Sequence, residues 1–77
     1  MRPVGEVVRA AGGLAIVRSP DGGHPDVGVD VVDADLDAVG RVVDVFGPVD
    51  RPFVAVTPGG ARNPASLIGS RLYERTG

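Results

Sequence analysis

Two valine-rich runs, Val42–Phe46 and Phe53–Val56, flank the segment Gly47-Pro48-Val49-Asp50-Arg51-Pro52. No other feature restricts the fold of this chain as strongly. β-Branched and aromatic side chains crowd a helix but suit a pleated, half-buried surface, so each run reads as a strand. The six residues between them hold two prolines and a glycine, and proline has no N–H to give to a ladder, so neither strand continues through. Pro48 drives Gly47 away from the helical region, and glycine can take backbone angles that other residues avoid. The stretch Val39–Val56 is therefore expected to be a hairpin with a stiff, apolar tip.

The remaining segments follow the same pattern. Val4–Arg9 and Leu14–Arg18 read as two strands joined by a turn at Ala10-Ala11-Gly12-Gly13. Ser19–Pro25 is dense in turn formers and is expected to be an exposed loop. Val27–Val32 reads as a third strand bent at Gly28, and Asp33–Asp37 as a solvated acidic corner with Leu36 as its one apolar contact. Thr57–Pro64 is expected to be a second loop, Ala65–Gly69 a short turn that packs Leu67 and Ile68 inward, and Arg71–Glu74 a last strand with Leu72 and Tyr73 on opposite faces. No segment sustains a 3.6-residue apolar period, and no internal repeat is expected. Six short strands in one small domain predict an all-β barrel, because closure removes exposed strand edges.

At 77 residues the chain is one domain with a thin stability margin. It has no cysteine, so no disulfide or thiolate site is expected, and lone His24 reads as a solvated loop residue. No apolar run approaches a membrane span, and Met1–Glu6 does not resemble a signal peptide, which predicts a soluble, cytoplasmic protein. Every basic residue is arginine, and net charge is −2. The absence of lysine fits GC-rich coding or a salty cytoplasm. The arginines are spread along the chain with aspartates between them, which argues against an autonomous nucleic-acid binder. Three aromatic residues also make a poor stacking platform.

Catalytic parts are lacking. No serine sits in a nucleophile-elbow setting, no base–nucleophile pair is evident, and Gly22-Gly23 and Gly59-Gly60 lack the features of a phosphate loop. Strict alternation places Asp44 on the same strand face as Val42 and Phe46. A carboxylate there must reach solvent, an arginine, a backbone donor or a partner chain. The reading is of a non-enzyme with neither cofactor nor metal.

The string Val39-Gly40-Arg41-Val42-Val43-Asp44-Val45-Phe46-Gly47-Pro48-Val49, followed by Arg51-Pro52-Phe53-Val54-Ala55-Val56-Thr57-Pro58, resembles the core motif of the Gar subunit of archaeal H/ACA ribonucleoproteins. Gly5-Glu6-Val7-Val8, Leu14–Arg18, Val27-Gly28 with Val31–Asp33, and Ile68-Gly69 with Leu72-Tyr73 extend the similarity over nearly the whole chain. The resemblance implies a six-stranded barrel of the translation-factor or reductase–isomerase–elongation-factor type. It implies a non-catalytic role in RNA-guided pseudouridine formation during rRNA modification and ribosome biogenesis. The partner is then a dyskerin-type pseudouridine synthase subunit, with guide RNA engaged only through the particle. The isolated chain is expected to be a monomer.

The docking residues expected on this basis are Asp44, Val45, Phe46, Gly47, Pro48, Val49, Pro52 and Phe53, centred on Pro48 and Val49. Thr57 stands where the family commonly has lysine, so no RNA or acidic contact is carried over to it. The strings from Val27 to Val45 also resemble the PRC-barrel pattern of ribosome-maturation proteins, but that pattern leaves Phe46–Val49 and Pro52-Phe53 unexplained. A small barrel that binds RNA directly is the other alternative, and it fits poorly with the charge.

Overall fold

The structure, a computed structural model, describes residues 2–60 and 62–75. Six strands form in chain order: β1 (Pro3–Ala11), β2 (Leu14–Arg18), β3 (Asp30–Val32), β4 (Ala38–Phe46), β5 (Phe53–Pro58) and β6 (Arg71–Glu74). A 3₁₀ turn, Pro64–Leu67, precedes β6, with Asn63 as its cap. The strands close into an all-antiparallel barrel in the order β1-β2-β5-β4-β3-β6. Within that ring, β6 returns beside β3 after the β3-β4-β5 meander, which is a Greek key. The small all-β barrel expected from strand spacing is the fold observed.

Valine fills the interior. Val4, Val7, Val17, Val31, Val39, Val42, Val54 and Val56 are buried together with Ala15, Leu67 and Leu72. Each such valine contributes about 1.5–3 kcal/mol relative to exposure, which is how a chain this short offsets its chain entropy. Alternation alone would not produce this core, because β1 and β4 each carry a bulge. The register shifts between Val7 and Arg9 and between Val42 and Asp44. The extra residues, Val8 and Val43, are left exposed, and the strands bend at these points as closure of a small barrel requires.

The chain does contain a repeat, contrary to the sequence reading. Val4-Gly5-Glu6-Val7-Val8 in β1 matches Val39-Gly40-Arg41-Val42-Val43 in β4, and the burial patterns of the two strands are identical. The pairings match as well. Glu6, Val7 and Arg9 face Arg18, Val17 and Ile16 on β2, while Arg41, Val42 and Asp44 face Thr57, Val56 and Ala55 on β5. Gly5 faces Leu72 of β6 as Gly40 faces Val31 of β3. Even the loop bonds correspond: Gly69 N donates to the Val7 carbonyl and Gly28 N to the Val42 carbonyl, each at 2.8 Å. The barrel is thus two copies of a three-strand unit about a pseudo-twofold axis that passes between the paired residues Ile16 and Ala55.

Several local expectations change. β1 and β4 are longer than their valine runs, because ladder bonds carry Ala10, Ala11 and Ala38–Arg41 along. Thr57 and Pro58 belong to β5 rather than to a loop. The third strand begins only at Asp30. Gly28, at φ 97°, breaks the strand there and leaves Val27 exposed. Leu67 packs inward as expected but Ile68 lies outside, and Leu36 makes no core contact, being 63% exposed with φ 67°. The loop from Ser19 to Pro25 is not wholly exposed, since Ser19 and Pro25 are buried.

Candidate partner-binding site

The pseudo-twofold provides an internal comparison for the two equivalent hairpins. β1 and β2 are joined by Gly12-Gly13 alone, at φ 57° and 79°, the mirror-image turn that matches strand twist. The equivalent β4–β5 connection is the six-residue segment Gly47–Pro52. Where the first hairpin ends on Ala11 and Leu14, the second ends on Phe46 and Phe53, paired across the ladder. Their rings stack with centroids 5.6 Å apart and planes 25° from parallel. Arg18 caps the pair, its guanidinium carbon 5.3 Å from the Phe53 centroid. Such contacts contribute on the order of 1 kcal/mol each and hold the base of the tip.

Gly47 sits at φ 91°, and a Cβ there would lie 2.9 Å from the Phe53 ring. Both the backbone angle and the ring therefore demand glycine, and Pro48 then fixes the chain direction. Val49 follows at 92% exposure, an apolar side chain held out in solvent. The loop after β2 supports the tip from one side. Ser19 N donates to the Pro52 carbonyl at 3.0 Å, and Arg51 Nε donates to the Ser19 carbonyl at 3.4 Å. The buried Ser19 hydroxyl lies 2.7 Å from the Asp21 carbonyl and 2.6 Å from that of Gly23, folding the loop back so that Gly22 comes up against the Val49 carbonyl. A shallow cleft of about 230 Å³ separates loop and tip.

The eight expected docking residues do not share one role. Pro48 and Val49 are exposed, and Phe46 is 39% exposed above the half-buried Phe53, so these form a continuous apolar edge. Pro52 is buried and Val45 packs against the core, so both support the tip from beneath. Gly47, exposed at φ 91°, shapes the turn and offers no side chain to a partner. Asp44 does not share the face of Val42: the bulge at Val43 turns it outward, where its Oδ1 accepts the Val45 N–H at 2.8 Å. The carboxylate thus stabilises its own bulge. Sequence reasoning missed Ser19 and Arg18, which buttress the tip. The one available signal was Ser19 directly after a strand and before a Pro-Asp-Gly-Gly turn.

Two further clusters have local structural accounts. Asp33, Asp35 and Asp37 bring carboxylate oxygens within 4.8 Å of one another. Asp33 Oδ1 accepts the N–H groups of Asp35 and Asp37, which closes the acidic corner. His24 is exposed, with Nδ1 3.0 Å from the Pro25 carbonyl. No helix among the described residues is long and apolar enough to cross a membrane.

Fold and tip together define a class: a closed six-stranded antiparallel barrel that displays one rigid apolar turn on a framework of two matched halves. No protein-family model matches the chain, and no curated protein matches it.

Proposed function

We propose that this chain is a non-catalytic, Gar-type subunit of an RNA-guided pseudouridylation particle, acting in the cytoplasm and docking on the pseudouridine synthase subunit through the Gly47–Pro52 tip. The observation that carries the reading is the exposure of Val49 on a turn stiffened by Pro48 and backed by the Phe46–Phe53 stack. Val49 does not stand alone: with Pro48 and Phe46 it makes a contiguous apolar edge of the kind that a partner groove covers, and the stiff turn presents that edge preorganised. The twofold-related hairpin, which ends in two glycines, shows that the framework itself needs no such tip. The closed barrel agrees with the fold that the motif resemblance implies. In the particle the subunit favours substrate loading and product release, a conformational role that raises multiple-turnover rate more than the first turnover.

The test is the double variant Pro48→Gly with Val49→Asp. Both residues are exposed, so the melting curve stays within a few degrees of wild type. Burying one valine accounts for about 1.5–3 kcal/mol of an interface and a desolvated aspartate opposes it further, so synthase affinity falls about 30-fold or more. Val54→Asp is the contrasting control: Val54 is wholly buried, and that variant loses the cooperative fold itself. Wild-type affinity in a folded tip variant refutes docking through the tip.

A further inference from the structure

Arginine is scattered along the chain but gathered on the folded surface. Six of the eight arginines line two clefts, three in each, and each cleft also holds one carboxylate. The first, of about 360 Å³, is lined by Gly5, Glu6, Arg18, Arg51, Arg71 and Tyr73. The second, of about 530 Å³, is lined by Asp30, Gly40, Arg41, Arg62 and Arg75. They are related by the pseudo-twofold, since Gly5 answers Gly40, Glu6 answers Arg41 and Arg71 answers Asp30. The charges across the equivalent ladder pair are reversed, and the outcome differs. In the second cleft the pair closes, with Arg41 Nε 3.3 Å from Asp30 Oδ1. In the first, no carboxylate of the described residues lies within ion-pair distance of Arg18, Arg51 or Arg71, the described ion pairs being Arg2–Glu74 and Arg41–Asp30.

We infer that the first cleft is a phosphate-binding site, with Arg18, Arg51 and Arg71 as its donors. Three guanidinium groups and one carboxylate leave a formal excess of two positive charges in one concavity, on a chain whose net charge is −2. A phosphate group carries about −1.5 to −2 charges on three strong acceptor oxygens, which suits three donor forks. A single carboxylate offers one charge and two oxygens, enough for one fork. Two of the donors are held before any ligand arrives: Arg18 is stacked on Phe53, and Arg51 is tied by Nε to the Ser19 carbonyl, which leaves its terminal N–H groups free to turn into the cleft. Preorganisation lowers the entropy lost on binding. Tyr73, half-buried at the rim, can donate its hydroxyl.

Tyr73 is also the only tyrosine in a chain without tryptophan, so its fluorescence reports on this cleft alone. The experiment titrates the full chain at low salt with inorganic phosphate, pyrophosphate and a short single-stranded RNA, reading Tyr73 emission and backbone amide shifts. Saturable changes at residues 3–6, 18 and 71–73 are expected. Arg71→Gln weakens binding about tenfold or more. Arg71→Lys, which keeps the charge but not the fork, recovers part of the loss. Arg75→Gln, in the second cleft, leaves binding unchanged. Saturation by phosphate and pyrophosphate but not by RNA identifies a free phosphate ligand. Tighter binding of RNA, with log affinity falling about 0.7 per phosphate contact against log salt, identifies a nucleic-acid backbone. The inference is overturned if neither phosphate ligand nor RNA saturates the site, if Arg71→Gln binds as wild type while folded, if the shifts map to the second cleft, or if an oligoglutamate peptide occupies the first cleft and phosphate does not.

Discussion

Replacing Gly40 with alanine tests the close backbone approach that sets the curvature of this barrel. A Cβ on Gly40 would lie 2.0 Å from the Thr57 carbonyl oxygen and 2.8 Å from its carbon. Carbon–oxygen contacts across a sheet settle near about 3.3–3.6 Å, so β4 and β5 must part by more than about 1 Å. The obstacle is main chain in a ladder, where Gly40 pairs with Pro58 and Arg41 with Thr57, so no side-chain rotation relieves it. Overpacking of a rigid site costs about 1–3 kcal/mol, and each adjoining ladder bond lost adds about 1 kcal/mol. A total near 2–4 kcal/mol compares with about 4–12 kcal/mol of net stability for a domain of this length. The variant therefore folds but melts about 10–30 °C lower, at about 4–8 °C per kcal/mol.

Gly5→Ala should fall further. Its Cβ would meet the Arg18 carbonyl oxygen at 2.1 Å, and its φ of 143° adds backbone strain. Gly59→Ala is the control: its nearest neighbour is 3.8 Å away, so its melting point stays within about 4 °C. Thermal melts followed by circular dichroism, with urea unfolding to check that the denaturant slope is unchanged, make the comparison. A Gly40→Ala melting point within about 4 °C of wild type refutes the close-contact reasoning.

Three other perturbations probe separate parts of the chain. Ser19→Ala removes a buried hydroxyl that serves the Asp21 and Gly23 carbonyls; it should cost about 1–2 kcal/mol in urea unfolding and speed amide exchange at Gly22 and Gly23, next to the tip. Leu36→Asn should raise the melting point by several degrees, because leucine at φ 67° costs about 1–2 kcal/mol, asparagine tolerates that region, and the exposed side chain gives up little packing. The melting point should also rise between low salt and 1 M salt, where the Debye length is near 3 Å and repulsion among Asp33, Asp35 and Asp37 is screened; a constant value would favour GC-rich coding as the reason lysine is absent.

The class of fold and the turn at its tip follow from local sterics. Valine runs bounded by glycine and proline leave few alternatives to short strands, and Gly47-Pro48 dictates a stiff turn by local sterics, which a linear reading handles well. The strand Leu14–Arg18 and the strand Arg71–Glu74 lie where that reading places them. Which residues the barrel buries depends instead on closure. Alternation misplaced Asp44 because the Val43 bulge, a product of closure and twist, shifts the phase of every side chain after it. Pro52 is among the expected docking residues but is buried, and the loop that starts at Ser19, thirty-odd residues earlier, bonds to its carbonyl there. The repeat was present in the letters as Val-Gly-Glu-Val-Val and Val-Gly-Arg-Val-Val, yet five residues carry weight only once both glycines are seen pressed against a neighbouring carbonyl. The two arginine clefts were not legible at all. Their members come from β1, β2, the tip and β6 in one case, and from β3, β4 and the segments after β5 and β6 in the other. Ring closure brings them together, and a linear sequence records spacing along the chain, not adjacency around a barrel.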